Sequence, residues 1–364
     1  MKKHTLCCIG HITLDKVVTP QSTVYMPGGT AYYCSYAIRH LNDVDYKLVT
    51  AVGDSELNVI DKMRDAGIDV TALPSKYSVY FENIYGENQD ERTQRVLAKA
   101  DPFTVQQLEN IEADIFHLGS LLADDFSVDV IKHLAGKGLV AIDSQGYLRE
   151  VRDTHVYPVD WANKREALKY VHFLKVNEHE MEVLTGYDNV TEAAHRLHEW
   201  GVKEVLLTFG SMGSVIFDGK TFYQIPAYEP DVVTDATGCG DTYTIGYLYQ
   251  RAAGASIEEA GRFAAAMSTL KIEKSGPFLG NKENVLQCMK HAKEVLPLCF
   301  PHGEVRQAVV TMALTISLVA SLTVLLELAK PEPMLKKAAL IFSSVSDRRP
   351  SSLPRTRSIE KSKS

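Results

Sequence analysis

Asp235-Ala236-Thr237-Gly238-Cys239-Gly240-Asp241 lies between a strand-like run, Phe222 to Val233, and a helical pattern, Tyr243 to Ala253. Two glycines flank one small residue where the helix is about to begin, and a carboxylate follows at once. Such a turn can aim consecutive backbone N–H groups at an anion, with the positive end of the helix dipole behind them. Donors for a developing negative charge, with a base beside them, are what phosphoryl transfer to a hydroxyl requires. Taken alone, Asp241 reads first as a helix N-terminal carboxylate that complements the dipole.

Working outward, short apolar strands alternate with helical patterns. Leu6 to Ile9, Lys47 to Val52, Ile115 to Leu118, Leu139 to Asp143, His172 to Val176 and Glu204 to Thr208 read as strands. Thr30 to Leu41, Glu56 to Ala66, Ser127 to Leu134, Glu178 to Leu184 and Thr191 to Trp200 read as helices. The alternation predicts an α/β fold with a doubly wound, mostly parallel sheet. Ligands are then expected at the carboxyl ends of the strands. Val79 to Tyr85 and Arg92 to Ala98 mix polar and aromatic residues and fit a small β lid near residues 77–99. A turn segment is expected to end at Pro27-Gly28-Gly29.

With 364 residues and 45% apolar content, the chain can bury a sizeable core. Residues 330–364 carry nine Lys and Arg against three Asp and Glu, so a chain of formal net charge −7 carries −13 in its remainder. An acidic body argues against nucleic acid as the ligand. The six cysteines (Cys7, Cys8, Cys34, Cys239, Cys288, Cys299) show no metal-ligand spacing and read as reduced, mostly buried thiols. The apolar run behind Met1-Lys2-Lys3 turns polar at His11, too soon for a secretory signal, so a cytoplasmic protein is expected.

Four features occur in order: Gly28-Gly29 before a helix, Asn177-x-x-Glu180, Thr208-x-Gly210-x-x-Gly213, and the Asp235 to Asp241 turn. Together they resemble the ribokinase-like (phosphofructokinase-B type) carbohydrate kinases, over roughly residues 5–298. The resemblance implies that Asp241 accepts the proton of the acceptor hydroxyl, and that Gly238, Cys239 and Gly240 supply anion-hole amides. Cys239 stands where the family commonly has Ala, which suggests sensitivity to thiol reagents. Asn177 and Glu180 are implied in the Mg²⁺–phosphate water network, Glu180 reaching the Mg²⁺ through water; a helix-capping box is the other reading. Thr208, Gly210 and Gly213 are implied in holding ATP, without a P-loop pattern. Asp235 and Thr237 are candidates for a monovalent cation such as K⁺.

On the acceptor side, Gly10-x-x-x-x-Asp15 followed by Gly28-Gly29 resembles the family's substrate site. Thr30 stands where many members have Asn, which argues against ribose or fructose. Arg95-Val-Leu, Ala100-Asp101-Pro102-Phe103 and Asp143-Ser144-Gln145-Gly146-Tyr147-Leu148-Arg149 resemble the inositol-kinase branch, with Gln145 and Arg149 as acceptor contacts. Asn83, Arg92 and Gln94 are lid candidates whose alternation fits an outward face equally well. The implied activity is ATP-dependent phosphorylation of a small sugar or cyclic polyol, inositol foremost. The alternatives are a nucleoside kinase, with Tyr32, Tyr33, Tyr80 and Phe81 as a base slot, and a non-catalytic sugar sensor. Exposed lid strands suggest a homodimer.

The kinase-like domain is expected to end near residue 300, and 301–364 is atypical. Gln307 to Leu326 is uncharged for twenty residues, long enough to span a bilayer. A membrane anchor, a buried or partner-binding helix, and a segment foreign to the fold all remain open for it. The basic, Ser/Pro-rich stretch Ser343 to Ser364 reads as disordered. Its charge favours the cytoplasmic side, which would place the body where ATP is scarce and so argues against an anchor.

Overall fold

A computed structural model describes residues 3–85 and 92–295. The expectations for 301–364, including the apolar stretch 307–326, lie outside the described residues. Among the described residues, no helix is long and apolar enough to cross a membrane.

The central sheet has nine strands. From one edge they run β15 (Phe222–Ile225), β14 (Ser214–Phe217), β13 (Glu204–Thr208), β12 (Phe173–Asn177), β9 (Leu139–Asp143), β8 (Ile115–Gly119), β1 (Thr5–Gly10), β4 (Asp45–Val52) and β5 (Val70–Pro74). The seven from β13 to β5 are mutually parallel; β14 runs antiparallel to them, and the edge strand β15, antiparallel to β14, returns to their direction. Helices cover both faces. Leu6, Cys8, Leu48, Ala141, Phe173 and Leu206 share a core with α1 (Thr30–Ile38), α2 (Leu57–Asp65), α7 (Cys239–Ala252), α8 (Ile257–Ile272) and α9 (Lys282–His291). The intervening residues, such as Phe116, Ile142, Leu174 and Leu207, are buried too. On that side α3 (Val128–Ala135) packs on β9, α5 (Glu178–Thr185) on β12 and α6 (Val190–Glu199) on β13; the short α4 (Lys164–Ala167) packs on α3. Burial on both faces is why these strands read as unbroken apolar runs.

Helix α7 is buried continuously from Thr242 to Tyr249, between β1, α1 and α8. Its far end is tied down: Glu204 of β13 accepts from the Arg251 guanidinium at 2.6 and 3.1 Å and from the Tyr247 hydroxyl at 2.5 Å. Pairing the buried carboxylate with two donors offsets its desolvation and fixes the axis along which the helix points its N-terminus. That N-terminus comes four residues earlier than the Tyr243 pattern start. Gly238 alone takes the left-handed N-cap conformation (φ 78°), and Cys239 and Gly240 are already helical. The strand expected over Phe222 to Val233 is broken; β15 ends at Ile225, β16 (Ala227–Tyr228) is a separate short strand, and the mostly exposed residues 229–234 lead into the turn.

The second sheet has six strands in the order β10 (Arg149–Arg152), β11 (His155–Pro158), β7 (Arg92–Ala98), β6 (Val79–Tyr85), β2 (Thr13–Val18), β3 (Thr23–Gly28). The expected pair, β6 and β7, is its centre. The segment expected to be a turn ending at Gly29 is instead the β2–β3 hairpin, and β10–β11 is a second hairpin. Val79, Phe81 and Val96 pack inward on Leu121 and Leu122. On the other face the Glu82 carboxylate bridges Lys16 (2.9 Å) and Arg95 (3.1 Å).

Candidate active site

The turn before α7 places Asp241 in the first turn of the helix, where a carboxylate complements the positive dipole end. Burial and the negative charge of Asp143 push its carboxyl up to about 6, against the opposing pull of the Thr30 hydroxyl and the charges of Lys175 and His117. The turn's amides are not equivalent. The Cys239 N–H donates to the Ala236 carbonyl at 3.1 Å, and the first α7 bond runs from Thr242 N–H to Gly238 O at 2.9 Å. The Gly240 and Asp241 amides are among those a helix start leaves without intrahelical acceptors. Gly238 is required on two counts: its φ is positive, and a Cβ there would lie 2.2 Å from the Tyr33 ring.

Lys175 was not singled out in the sequence. It is the third residue of β12, 6% exposed, and shares its face of the strand with Phe173. Its ammonium lies 3.1 Å from Asp143 and 3.8 Å from Glu180, and a Cβ at Gly240 would sit 3.4 Å from it. Burial disfavours the charged form, but Asp143 and Glu180 outweigh it and raise the lysine above its ordinary value. The available signal was an isolated lysine in an apolar central strand, which is costly unless paired.

Asn177 and Glu180 form the capping box of α5: Glu180 N–H donates to Asn177 Oδ1 (2.8 Å) and Asn177 N–H to Glu180 Oε2 (2.9 Å). Asn177 Nδ2 and the Ser144 hydroxyl also donate to the Glu180 carboxylate, at 2.9 and 3.0 Å. Burial raises the Glu180 carboxyl, with Lys175 opposing. Those donors leave Glu180 little free lone-pair capacity, enough to hold a water rather than to chelate a metal ion directly.

Around the β2–β3 hairpin the two glycines have separate jobs. A Cβ at Gly28 would fall 2.3 Å from Asp15 Oδ2, so that glycine admits the carboxylate; the Thr13 hydroxyl donates to Asp15 Oδ1 at 2.7 Å. Gly29 has φ 88° and caps α1, and a Cβ there would meet the His11 carbonyl at 2.8 Å. The next residue, Thr30, lies close enough to Asp241 for its hydroxyl to favour the ionised carboxylate. Tyr33, one turn on, is raised by burial and then by the charges of Asp235, Asp15 and Asp241. One phenol thus senses carboxylates from both sides of the site.

The remaining candidates sit nearby with structural duties. Thr208 ends β13 beside Asn177 in register, and its hydroxyl donates to Val176 O at 3.4 Å. Gly210 and Gly213 make the tight β13–β14 connection; a Cβ at Gly213 would lie 2.4 Å from Ile225 O, and Gly210 faces open space. Gln145 is exposed just past β9, its N–H donating to Asp143 Oδ1 at 3.1 Å, and Arg149 opens β10. Asn83 and Gln94 are hydrogen-bonded to each other (2.9 Å) on the same face of the second sheet as Asp15 and Phe81. Arg92 opens β7, in register with Tyr85. Phe103 stacks between His11 and Phe126, and Asp101 accepts from the Lys76 N–H, so those two branch-like residues serve packing. Burial raises the Cys239 thiol, which lowers its thiolate content. Cys8 and Cys34 both approach His117 Nδ1, at 3.7 and 3.8 Å, behind the Asp241 backbone. A separate cavity of about 630 Å³ between Phe103, Phe126, Tyr147 and Trp161 contains none of the Asp241 cluster.

A doubly wound sheet with a carboxylate at a helix start beside the ends of β9 and β12 is an architecture that collects small ligands at those strand ends. Residues 3–284 match the pfkB family carbohydrate kinases, and the chain belongs to that family. A cytidine kinase of Thermococcus kodakarensis is 27% identical over 282 residues, covering 74% of this chain and 97% of that enzyme. A ribokinase of Arabidopsis thaliana is 29% identical over 277 residues, covering 72% of this chain and 69% of that protein. Among solved structures, a pyrophosphate-dependent kinase in the ribokinase family, complexed with a pyrophosphate analog and myo-inositol, superposes with a TM-score of 0.69 at 28% identity, over 78% of this chain and 99% of that one. The fold is ribokinase-like, and the general activity is that of a small-molecule kinase.

Proposed function

We propose that the domain formed by residues 1 to about 300 transfers the terminal phosphoryl group of ATP to a hydroxyl of a small cyclic polyol, with inositol the first candidate, and that Asp241 is the base. The observation that carries this is the place of the Asp241 carboxylate in the first turn of α7, beside the Asp143–Lys175 pair whose charges act on it, with its carboxyl raised to about 6. A base tuned to that value is ionised at neutral pH yet basic enough to take a proton. The acceptor oxygen attacks the terminal phosphorus, its proton passes to Asp241, and the bond to the leaving diphosphate oxygen breaks. The Gly240 and Asp241 amides and the Lys175 ammonium face the charge that spreads over the transferring group. Gly238 and Cys239 shape the turn. Mg²⁺, held through water by Asn177 and Glu180, would neutralise donor phosphates, a role that suits their all-oxygen donor set. Thr208, Gly210 and Gly213 border the donor; Asp15, beside Gly28 and Gly29, orients acceptor hydroxyls with Gln145 and Arg149 at the rim. The second sheet then acts as a lid that keeps water from the phosphoryl group, and its exposed edge residues Val24 and Tyr25 suit a homodimer contact.

Two likenesses bear on the details. The pyrophosphate-dependent kinase structure supports the inositol reading and adds pyrophosphate as a second donor to test. The cytidine kinase supports a nucleoside acceptor as the second reading. The deciding experiment is product formation by the full-length protein on inositols, pentoses, hexoses and nucleosides, with ATP or pyrophosphate. Turnover of inositol is the expected result; turnover of nucleosides alone replaces the acceptor class, and no turnover of any pair favours a sugar sensor.

A further inference from the structure

The candidate cation residues, Asp235 and Thr237, already have a positive charge among them. Lys271, in the last turn of α8, has a fully buried side chain. Its ammonium lies 2.8 Å from the Asp235 carbonyl, 3.2 Å from the Lys274 carbonyl and 3.6 Å from Asp235 Oδ2. A lysine out of water is costly unless oxygens replace its hydration shell. Here its three donors face three oxygens, drawn from two loops. The same loops are laced together around it. Thr234 and Asp235 N–H groups donate to Ile272 O (2.8 and 3.1 Å), and the Gly276 N–H reaches Asp235 Oδ2 (3.4 Å). The Thr237 N–H donates to Asp235 Oδ1 (2.9 Å), and the Ser268 hydroxyl to Cys239 O (3.1 Å).

We propose that the Lys271 ammonium is a tethered cation occupying the place of a monovalent metal ion beneath the 234–238 turn, so that this chain needs no K⁺. Two peptide carbonyls and a carboxylate are hard oxygen donors of the kind that hold a monovalent cation. A covalently held ammonium satisfies them at any salt concentration. The turn it anchors leads directly into Gly238 and the first amides of α7. Lys271 is fully buried and its ammonium is occupied by Asp235 and the Lys274 carbonyl, so it is a positioning residue: it holds the backbone from which the Gly240 and Asp241 amides project. The kinetic consequence rests on the kinase reading above, whereas the cation site itself does not.

The test uses the full-length protein in alkali-free buffer, with K⁺, NH₄⁺ or tetramethylammonium at equal ionic strength. Wild-type turnover and melting temperature should be the same in all three, within about 1.5-fold in rate. Lys271→Ala should lose about a hundredfold in kcat, and K⁺ or NH₄⁺, but not tetramethylammonium, should restore at least about tenfold. The same two ions should raise the melting temperature of Lys271→Ala and not that of the wild type. This arm needs no acceptor, so it decides the site even if the kinase reading fails. Several-fold stimulation of the wild type by K⁺ overturns the proposal, as does a folded Lys271→Ala that no cation rescues or that keeps full activity. Should Lys271→Ala not fold, wild-type indifference to K⁺ together with retained, cation-independent activity in Lys271→Arg supports it, and K⁺-dependence in either overturns it.

Discussion

The two sheets meet different physical demands. The nine-stranded sheet is covered by helices on both faces, and β9, β12 and the start of α5 hold Asp143, Lys175, Asn177 and Glu180 in a closed network of ion pairs and hydrogen bonds. The six-stranded sheet packs one face through a small apolar cluster and leaves ion pairs on the other. Rigid, fully partnered groups suit stabilisation of a transition state, which tolerates little displacement. A lightly packed sheet suits recognition and closure. If the division holds, substitutions at the α7 turn cut turnover, and substitutions on the β2–β3 hairpin cut acceptor affinity.

Asp241→Asn should give the largest effect: a loss of about a thousandfold in kcat, with acceptor binding by calorimetry unchanged. It also makes a stability prediction. The folded-state carboxyl at about 6 is above its ordinary value of 3.8, so the ionised form destabilises the fold. That penalty is absent below the unfolded value and develops as pH rises through the folded one. Asp241→Asn should therefore melt higher than wild type at pH 8, and the difference should vanish below about pH 4.

Asp15→Asn probes the other sheet. It should raise the acceptor KM by about ten- to a hundredfold, with kcat changed only a few-fold. A fall in kcat as large as that of Asp241→Asn would show that the hairpin carboxylate takes part in the chemical step and would dissolve the contrast.

The contrast also explains what the sequence could reveal. Central strands buried on both faces announce themselves, and Leu139–Asp143 and Glu204–Thr208 fell at the boundaries read from the apolar pattern. The Asp235 to Asp241 turn was visible because backbone demands at Gly238 are local. The β2–β3 hairpin was not, because Thr13–Val18 mixes Asp15 and Lys16 into a half-buried strand whose register depends on β6. Lys175 and Lys271 were missed for a related reason. Each is buried by tertiary pairing, with Asp143 in one case and the Asp235 carbonyl in the other, and those partners are 32 and 36 residues away.

The pH dependence sharpens the comparison inside the central site. With Asp241 as base, kcat/KM should fall about tenfold per pH unit below about 6. Asp143 raises that value by its charge, so Asp143→Asn should move the acid limb to lower pH. The shift should be about half a unit to one unit. An unmoved limb would mean that another group sets it.

Thr30→Ala should produce the smallest change and the opposite sign. The Thr30 hydroxyl stabilises the ionised Asp241 carboxylate. Losing it should move the acid limb to higher pH and lower kcat/KM at pH 7 by about two- to fivefold. The threonine methyl also packs against the backbone, with Cγ2 2.9 Å from where a Cβ on Gly119 would sit. Thr30→Ser separates the two roles: it keeps the hydroxyl and should keep the wild-type pH limb, while melting somewhat lower because the methyl is gone. If Ser and Ala shift the limb alike, the methyl packing and not the hydroxyl tunes Asp241, and the coupling between the start of α1 and the α7 turn is steric.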